Sequence, residues 1–157
     1  MTEVPLMLEY IQENWPDTPI AVMGHSMGGF TALGAMSLFQ EFKPAVVMNG
    51  SGWWDESERR FRASLHIEKP RAFRFIQMQF AAMDPYTHMD RLSGRSLLSL
   101  RGGADDVVDG AAQDLYLEKL AQRDDVKTQS SVYDDLGHFV TTNMMGDAVN
   151  WLQTELH

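Results

Sequence analysis

At 157 residues, 44% of them hydrophobic and 22% charged, the chain is long enough for one domain with a substantial core and too short for two. A formal net charge of −9 excludes a nucleic-acid backbone as partner, since phosphate binding needs clustered Lys and Arg, and the cluster Arg59, Arg60 and Arg62 is interleaved with acids as on a solvated face. The absence of cysteine excludes disulfides and thiol chemistry and fits a cytoplasmic protein, while no apolar segment of signal-peptide type and no membrane-length apolar run stands in the sequence.

Val4, Leu8, Ile11 and Trp15 recur at helical spacing and predict a first amphipathic helix, with Thr2 as its N-cap and Pro5 in the first turn. Trp15-Pro16-Asp17-Thr18-Pro19 ends that helix and leads into an apolar strand over 20–23. After Gly24-His25-Ser26-Met27-Gly28 comes a charge-poor helix over 28–40, as expected of a helix lying across a sheet. Pro44 opens a second buried strand, 45–48, followed by Asn49-Gly50-Ser51-Gly52-Trp53-Trp54. Residues 55–92 carry no strand signal. Ala72, Ile76, Phe80 and Met83 follow a helical stripe there, and Phe73, Phe75 and Met78 add more apolar surface than one helix face needs. A third strand spans 96–100, and Asp109 N-caps a helix over 109–123 with Ala112, Tyr116 and Leu120 inward. The β-branched and aromatic segment 128–133 reads as a fourth strand, and Met145, Val149, Leu152 and Leu156 mark the inward face of a closing helix. Strands alternating with helices predict an α/β fold: a parallel sheet of about four strands with flanking helices and right-handed crossovers.

Gly24-His25-Ser26-Met27-Gly28 fits G-x-S-x-G, and it stands where that pattern has meaning, between a strand and a helix. The turn must be tight enough to strain the serine and expose its oxygen, so Gly24 and Gly28 are read as relieving a collision of side chains. GHSMGG after a strand resembles the nucleophile elbow of the α/β-hydrolase superfamily. Asp84-Pro85-Tyr86-Thr87-His88-Met89-Asp90-Arg91-Leu92 and Leu97-Leu98-Ser99-Leu100-Arg101-Gly102-Gly103-Ala104-Asp105-Asp106-Val107-Val108 are similar to its bacterial esterase and prolyl-oligopeptidase-like branch, which includes dienelactone-hydrolase-like proteins. The resemblance covers nearly all 157 residues as a single domain, matches the C-terminal part of the family's domain, and implies that several strands precede the elbow elsewhere in the family. It also implies a helical cap over the active site in 55–92. A crossover helix with long loops is the alternative there.

A serine hydroxyl becomes a useful nucleophile when a neutral imidazole takes its proton, and that imidazole needs an acceptor to fix its tautomer. In a parallel sheet all strand C-termini share one edge, so groups that follow different strands can converge. Ser26, Asp105 and His138 each follow an expected strand, in the order Ser, Asp, His of α/β-hydrolases. Asp105 is the expected acid by resemblance to the family's G-x-x-D-x-V-V pattern. Asp106 is its neighbour, and Asp134 and Asp135 stand too close to His138 in sequence to be preferred. His25 is expected to face away from Ser26, because adjacent residues on an extended segment point to opposite sides. His66 and His88 in the cap and the terminal His157 are read as structural or solvated, and the histidines lack metal-ligand spacing, so neither metal nor cofactor is expected. The N–H of Met27 is the expected oxyanion donor, and the resemblance implies a second from a loop after an earlier strand. Trp53 and Trp54, at the exit of a strand, read either as walls of the substrate pocket or as a cover over the core.

These readings converge on a serine carboxylesterase acting through an acyl-enzyme on a small-molecule ester. A peptidase of the same branch is one alternative, and a catalytically impaired module that self-associates through an exposed sheet edge is another. The nearly wholly apolar strand 20–23 motivates the last, since such a strand is usually paired on both sides.

Overall fold

Four strands line up side by side in the order in which they occur in the chain. In the computed structural model, which describes residues 3–69 and 74–157 (the Arg74 side chain excepted), β1 (Ile20–His25), β2 (Phe42–Met48), β3 (Arg95–Gly102) and β4 (Val126–Tyr133) form one all-parallel sheet, ordered β1-β2-β3-β4. Parallel neighbours cannot be joined by a tight hairpin, so each connection crosses over through helix. Helix α1 (Val4–Asn14) precedes β1, and α2 (Met27–Leu38) joins β1 to β2. Helices α3 (Trp54–Ser64) and α4 (Arg74–Ala81) with a 3₁₀ helix (Pro85–Leu92) join β2 to β3. Helix α5 (Ala111–Leu120) joins β3 to β4, and α6 (Thr142–Glu155) closes the chain. The expected Thr2 cap, Ala72 and Phe73 lie outside the described residues.

The middle residues of the central strands, among them Val46, Val47, Leu97 and Leu98, are buried because both faces of the sheet are covered there. Val47 and Leu97 point into a core shared with Leu33, Met36, Tyr116 and Leu120, which brings in α2 and α5. Their neighbours Val46 and Leu98 point the other way, onto Met144, Ala148 and Trp151 of α6. Two helix layers thus sandwich one sheet, as the expected fold class requires. All the inward residues expected for α5 are buried, whereas the inward face of α6 is turned by one residue. Met145 and Val149 are exposed, and Met144, Ala148 and Trp151 make the contact, with Leu152 beside them. On α1, Leu8 is buried and Val4 packs beside it, but Trp15 faces outward against Tyr10.

Strand β2 begins before Pro44, not at it. The register against β1 shifts between Ile20↔Phe42 and Val22↔Ala45, so Pro44 sits at an irregularity where one ladder position is skipped. A proline has no N–H to donate to a ladder, and an irregularity of this kind is where a central strand can hold one. Strand β1 is an outer strand of the sheet, and its Met23 is exposed.

Candidate active site

Every group expected at the site follows a strand on the C-terminal edge of the sheet. Ser26 follows β1 with φ 55° and ψ −124°, a conformation that side chains avoid, and its N–H donates to the Met48 carbonyl at 2.9 Å. Its carbonyl in turn accepts from Gly29 N–H and Phe30 N–H and starts α2. Of the two glycines that flank Ser26 in the pattern, one carries the steric demand. A Cβ on Gly24 would stand 2.0 Å from the Gly28 carbonyl oxygen, whereas a Cβ on Gly28 would meet nothing within 4 Å. The expected symmetry of the two glycines is therefore corrected: Gly24 is where the helix backbone comes close, and Gly28 looks into open space.

The Ser26 Oγ lies 2.8 Å from His138 Nε2, and His138 Nδ1 lies 2.7 Å from Asp105 Oδ2. A carboxylate only accepts, so Nδ1 carries the proton and Nε2 is left to accept from the serine hydroxyl. Asp105 Oδ1 accepts from Val107 N–H and Val108 N–H, both at 2.9 Å, which fixes the carboxylate plane. The Asp105 side chain is 3% exposed and that of His138 16%. Asp106, Asp134 and Asp135 are exposed. Met27 stands at the first position of α2, where helix N–H groups have no intrahelical acceptor. Asp109 accepts from Ala111 N–H at the start of α5, one residue ahead of the position expected for a cap, and pairs with Arg60 of α3 at 2.8 Å.

The sequence reading missed what brings the His138 loop to the acid loop. A Cβ on Gly102 would stand 2.2 Å from the Leu136 carbonyl oxygen, and that same oxygen accepts from Ala104 N–H at 3.0 Å. Gly103 N–H donates to the Tyr133 carbonyl, so the end of β3 runs in backbone contact with the loop that carries His138. The Gly102-Gly103 pair before Asp105 was the visible signal.

His25 departs from expectation. Its ring centroid is 4.9 Å from that of His138, tilted by 38°, instead of on the far side of the strand. The alternation rule applies to extended backbone, and the positive φ of Ser26 interrupts it. Burial holds the His25 imidazole below its ordinary pKa, with His138 adding to the effect and Asp105 opposing it. His88 Nε2 lies 2.9 Å from the Ala82 carbonyl, and His66 occupies a left-handed turn with φ 55°. Among the described residues no group of three His, Cys, Asp or Glu could hold a metal ion, and no helix is long and apolar enough to cross a membrane.

Ser26 opens onto a cavity of about 700 Å³. Met27, Phe30, Trp53, Trp54, Phe61, Phe80, Val107 and Val108 supply apolar lining, while Asp55, Glu58, Lys69 and Gln77 add polar groups. Both tryptophans therefore border the cavity, and Trp53 also packs against the core, stacked on Tyr86 with centroids 4.0 Å apart. Residues of α3 and α4 line the same space, so this part of 55–92 stands beside the serine as a cap would. One buried carboxylate anchors that wall. Asp84 accepts from Trp54 N–H at 3.2 Å, Asp55 N–H at 3.1 Å and Tyr86 N–H at 3.1 Å. Burial pushes its carboxyl above the ordinary value, against the pull of these donors.

The profile of the prolyl oligopeptidase family matches residues 7–157. Esterase YjfP of Escherichia coli (strain K12) is 31% identical over 152 residues, which are 92% of this chain and 60% of that protein. Among solved structures, TT1662 from Thermus thermophilus superposes with a TM-score of 0.73 at 19% identity, covering 99% of this chain and 62% of that one. An S-formylglutathione hydrolase from Agrobacterium tumefaciens gives 0.70 at 19% identity, covering 99% of this chain and 57% of that one. The chain thus spans about three fifths of the length of these relatives. Its parallel sheet with flanking helices is the α/β-hydrolase fold. By its match over residues 7–157, the chain belongs to the prolyl oligopeptidase family.

Proposed function

We propose that the protein is a serine hydrolase that cleaves carboxylic esters through an acyl-enzyme, with Ser26 as nucleophile, His138 as general base and acid, and Asp105 as the group that orients it. The observation that carries this reading is the hydrogen-bonded series Asp105–His138–Ser26 at the mouth of a largely apolar cavity. Ser26 Oγ attacks the ester carbonyl carbon while its proton passes to His138 Nε2. The oxyanion that forms is held by Met27 N–H, aided by the positive end of α2. Collapse breaks the bond to the alcohol oxygen, which takes the proton from His138. Water then enters, gives its proton to His138 and releases the acid, and Ser26 recovers its proton. Asp105 keeps the proton on Nδ1 and balances the imidazolium as it forms.

The aromatic lining of the cavity favours an ester with an apolar acyl or alcohol group, and the acids Asp55 and Glu58 at its wall are both paired with Lys69. Hydrolysis of p-nitrophenyl esters of increasing acyl length tests this. Turnover should rise with the first few methylenes, by up to roughly tenfold for each buried pair, and vanish in Ser26→Ala. An equal or faster reaction on aminoacyl p-nitroanilides would move the assignment to the peptidase reading, which the family match favours.

A further inference from the structure

Asn49 is the first residue after β2, 2% exposed, and holds φ 47°, a left-handed conformation that asparagine tolerates better than most side chains. Its backbone N–H donates to the Leu100 carbonyl at 3.0 Å and extends the ladder to β3. Its side chain has three neighbours. Asn49 Oδ1 accepts from Gly102 N–H at 2.8 Å, Nδ2 donates to the Phe139 carbonyl at 3.1 Å, and Nδ2 lies 3.3 Å from His25 Nε2. A backbone N–H can only donate and a backbone carbonyl can only accept, so Gly102 and Phe139 together fix which end of the amide is which. Nδ2 must then be a donor toward His25, and His25 Nε2 must be unprotonated. In the neutral ring, the proton of His25 is on Nδ1.

We infer that Asn49 is the positioning residue of the site: a single buried amide that ties together the segments bearing Ser26, Asp105 and His138 and holds His25 as a neutral spacer against His138. The inference rests on the serine-hydrolase reading for its kinetic consequence but not for its structural one. Each contact of the amide lies close to one of those three residues. His25 precedes Ser26, Phe139 follows His138, and Gly102 leads into the turn that ends at Asp105. Protonation of His25 would set a donor against a donor at Nε2 and place a cation 4.9 Å from the ring that must itself become cationic in catalysis. The charged or titratable groups acting on His25 are His138 and Asp105. The Asn49 amide is its neutral polar neighbour.

The test uses the full chain, Asn49→Gly and Asn49→Asp. Glycine removes the amide without straining φ 47°, and aspartate keeps an acceptor for Gly102 N–H while losing both donors. A long-range ¹H–¹⁵N spectrum of histidine-labelled wild type should show His25 protonated on Nδ1 alone at pH 7. In Asn49→Asp, His25 should gain a proton on Nε2, and its titration should move upward. For ester hydrolysis, kcat should fall about 10- to 100-fold in Asn49→Gly with KM changed less than about 3-fold, the signature of a displaced base. In Asn49→Asp the acid limb of the kcat profile should also move. His25 protonated on Nε2 in the wild type, or unchanged kcat in a folded Asn49→Gly, would overturn the inference. A wild type with no Ser26-dependent hydrolysis would overturn the functional reading instead, and the tautomer measurement would still decide the role of Asn49.

Discussion

Replacing Gly24 by alanine places a methyl group 2.0 Å from the Gly28 carbonyl oxygen, 2.2 Å from its carbon and 2.7 Å from Gly29 N. All three are backbone atoms at the start of α2, so no side chain can rotate out of the way. Restoring ordinary contact requires more than about 1 Å of movement between β1 and α2, and overpacking of this kind costs about 3 kcal/mol or more when backbone must shift. For a domain of this size that corresponds to a fall in Tm of about 6–12 °C. Ser26 stands on the segment that has to move, and a displacement of about 1 Å is worth roughly a hundredfold in rate. Gly28→Ala is the counterpart. Its Cβ meets nothing within 4 Å, its φ is not positive, and alanine in a helix is favoured over glycine by about 0.5–1 kcal/mol, so Tm should hold or rise slightly. Thermal unfolding by circular dichroism, paired with the rate of ester hydrolysis, reads both. If Gly24→Ala unfolds within about 2 °C of wild type, or Gly28→Ala loses as much as Gly24→Ala, the steric account of the turn is wrong.

Asp84→Ala leaves three backbone N–H groups without their acceptor, and the loss of charge-assisted bonds should cost about 3 kcal/mol in denaturant unfolding while weakening binding of apolar esters more than of acetate esters. The folded state holds the His25 pKa below that of the unfolded chain, so the unfolded state takes up its proton first. Stability from neutral His25 is full above the unfolded value of about 6.5 and is lost as pH falls below it, and His25→Gln should flatten urea stability between about pH 7 and pH 5. With β1 as an outer strand and Met23 exposed on it, the chain should self-associate at micromolar concentration, and a monomer of 17.8 kDa by light scattering at all concentrations would refute this.

The parallel sheet and the convergence of Ser26, Asp105 and His138 were legible because they depend on local pattern and on one rule of parallel sheets. Each apolar run ends in a turn, and turns after parallel strands share an edge. The parts that were not legible depend on contacts between distant segments. Asn49 reads as an ordinary turn residue, and its bonds to residues 24, 53 and 90 positions away give it a place in the site. His25 was misplaced because the alternation rule was carried through a residue with positive φ. The face of α6 was misjudged because Met145 and Val149 outweigh the small Ala148 in an apolar pattern, although Ala148 lets the helix approach β2 and β3. Pro44 looked like the start of β2 because the irregularity that accommodates it is a property of the pairing with β1 and not of β2 alone.

The central claim, that Ser26 is a nucleophile activated by His138, is tested most directly by covalent labelling of the full chain with an alkyl fluorophosphonate followed by intact mass and peptide mapping. The account predicts one phosphonyl adduct per chain, located on Ser26, with labelling slowed at least about a hundredfold in His138→Ala and abolished in Ser26→Ala. An unlabelled wild type, or an adduct on any residue other than Ser26, would contradict it.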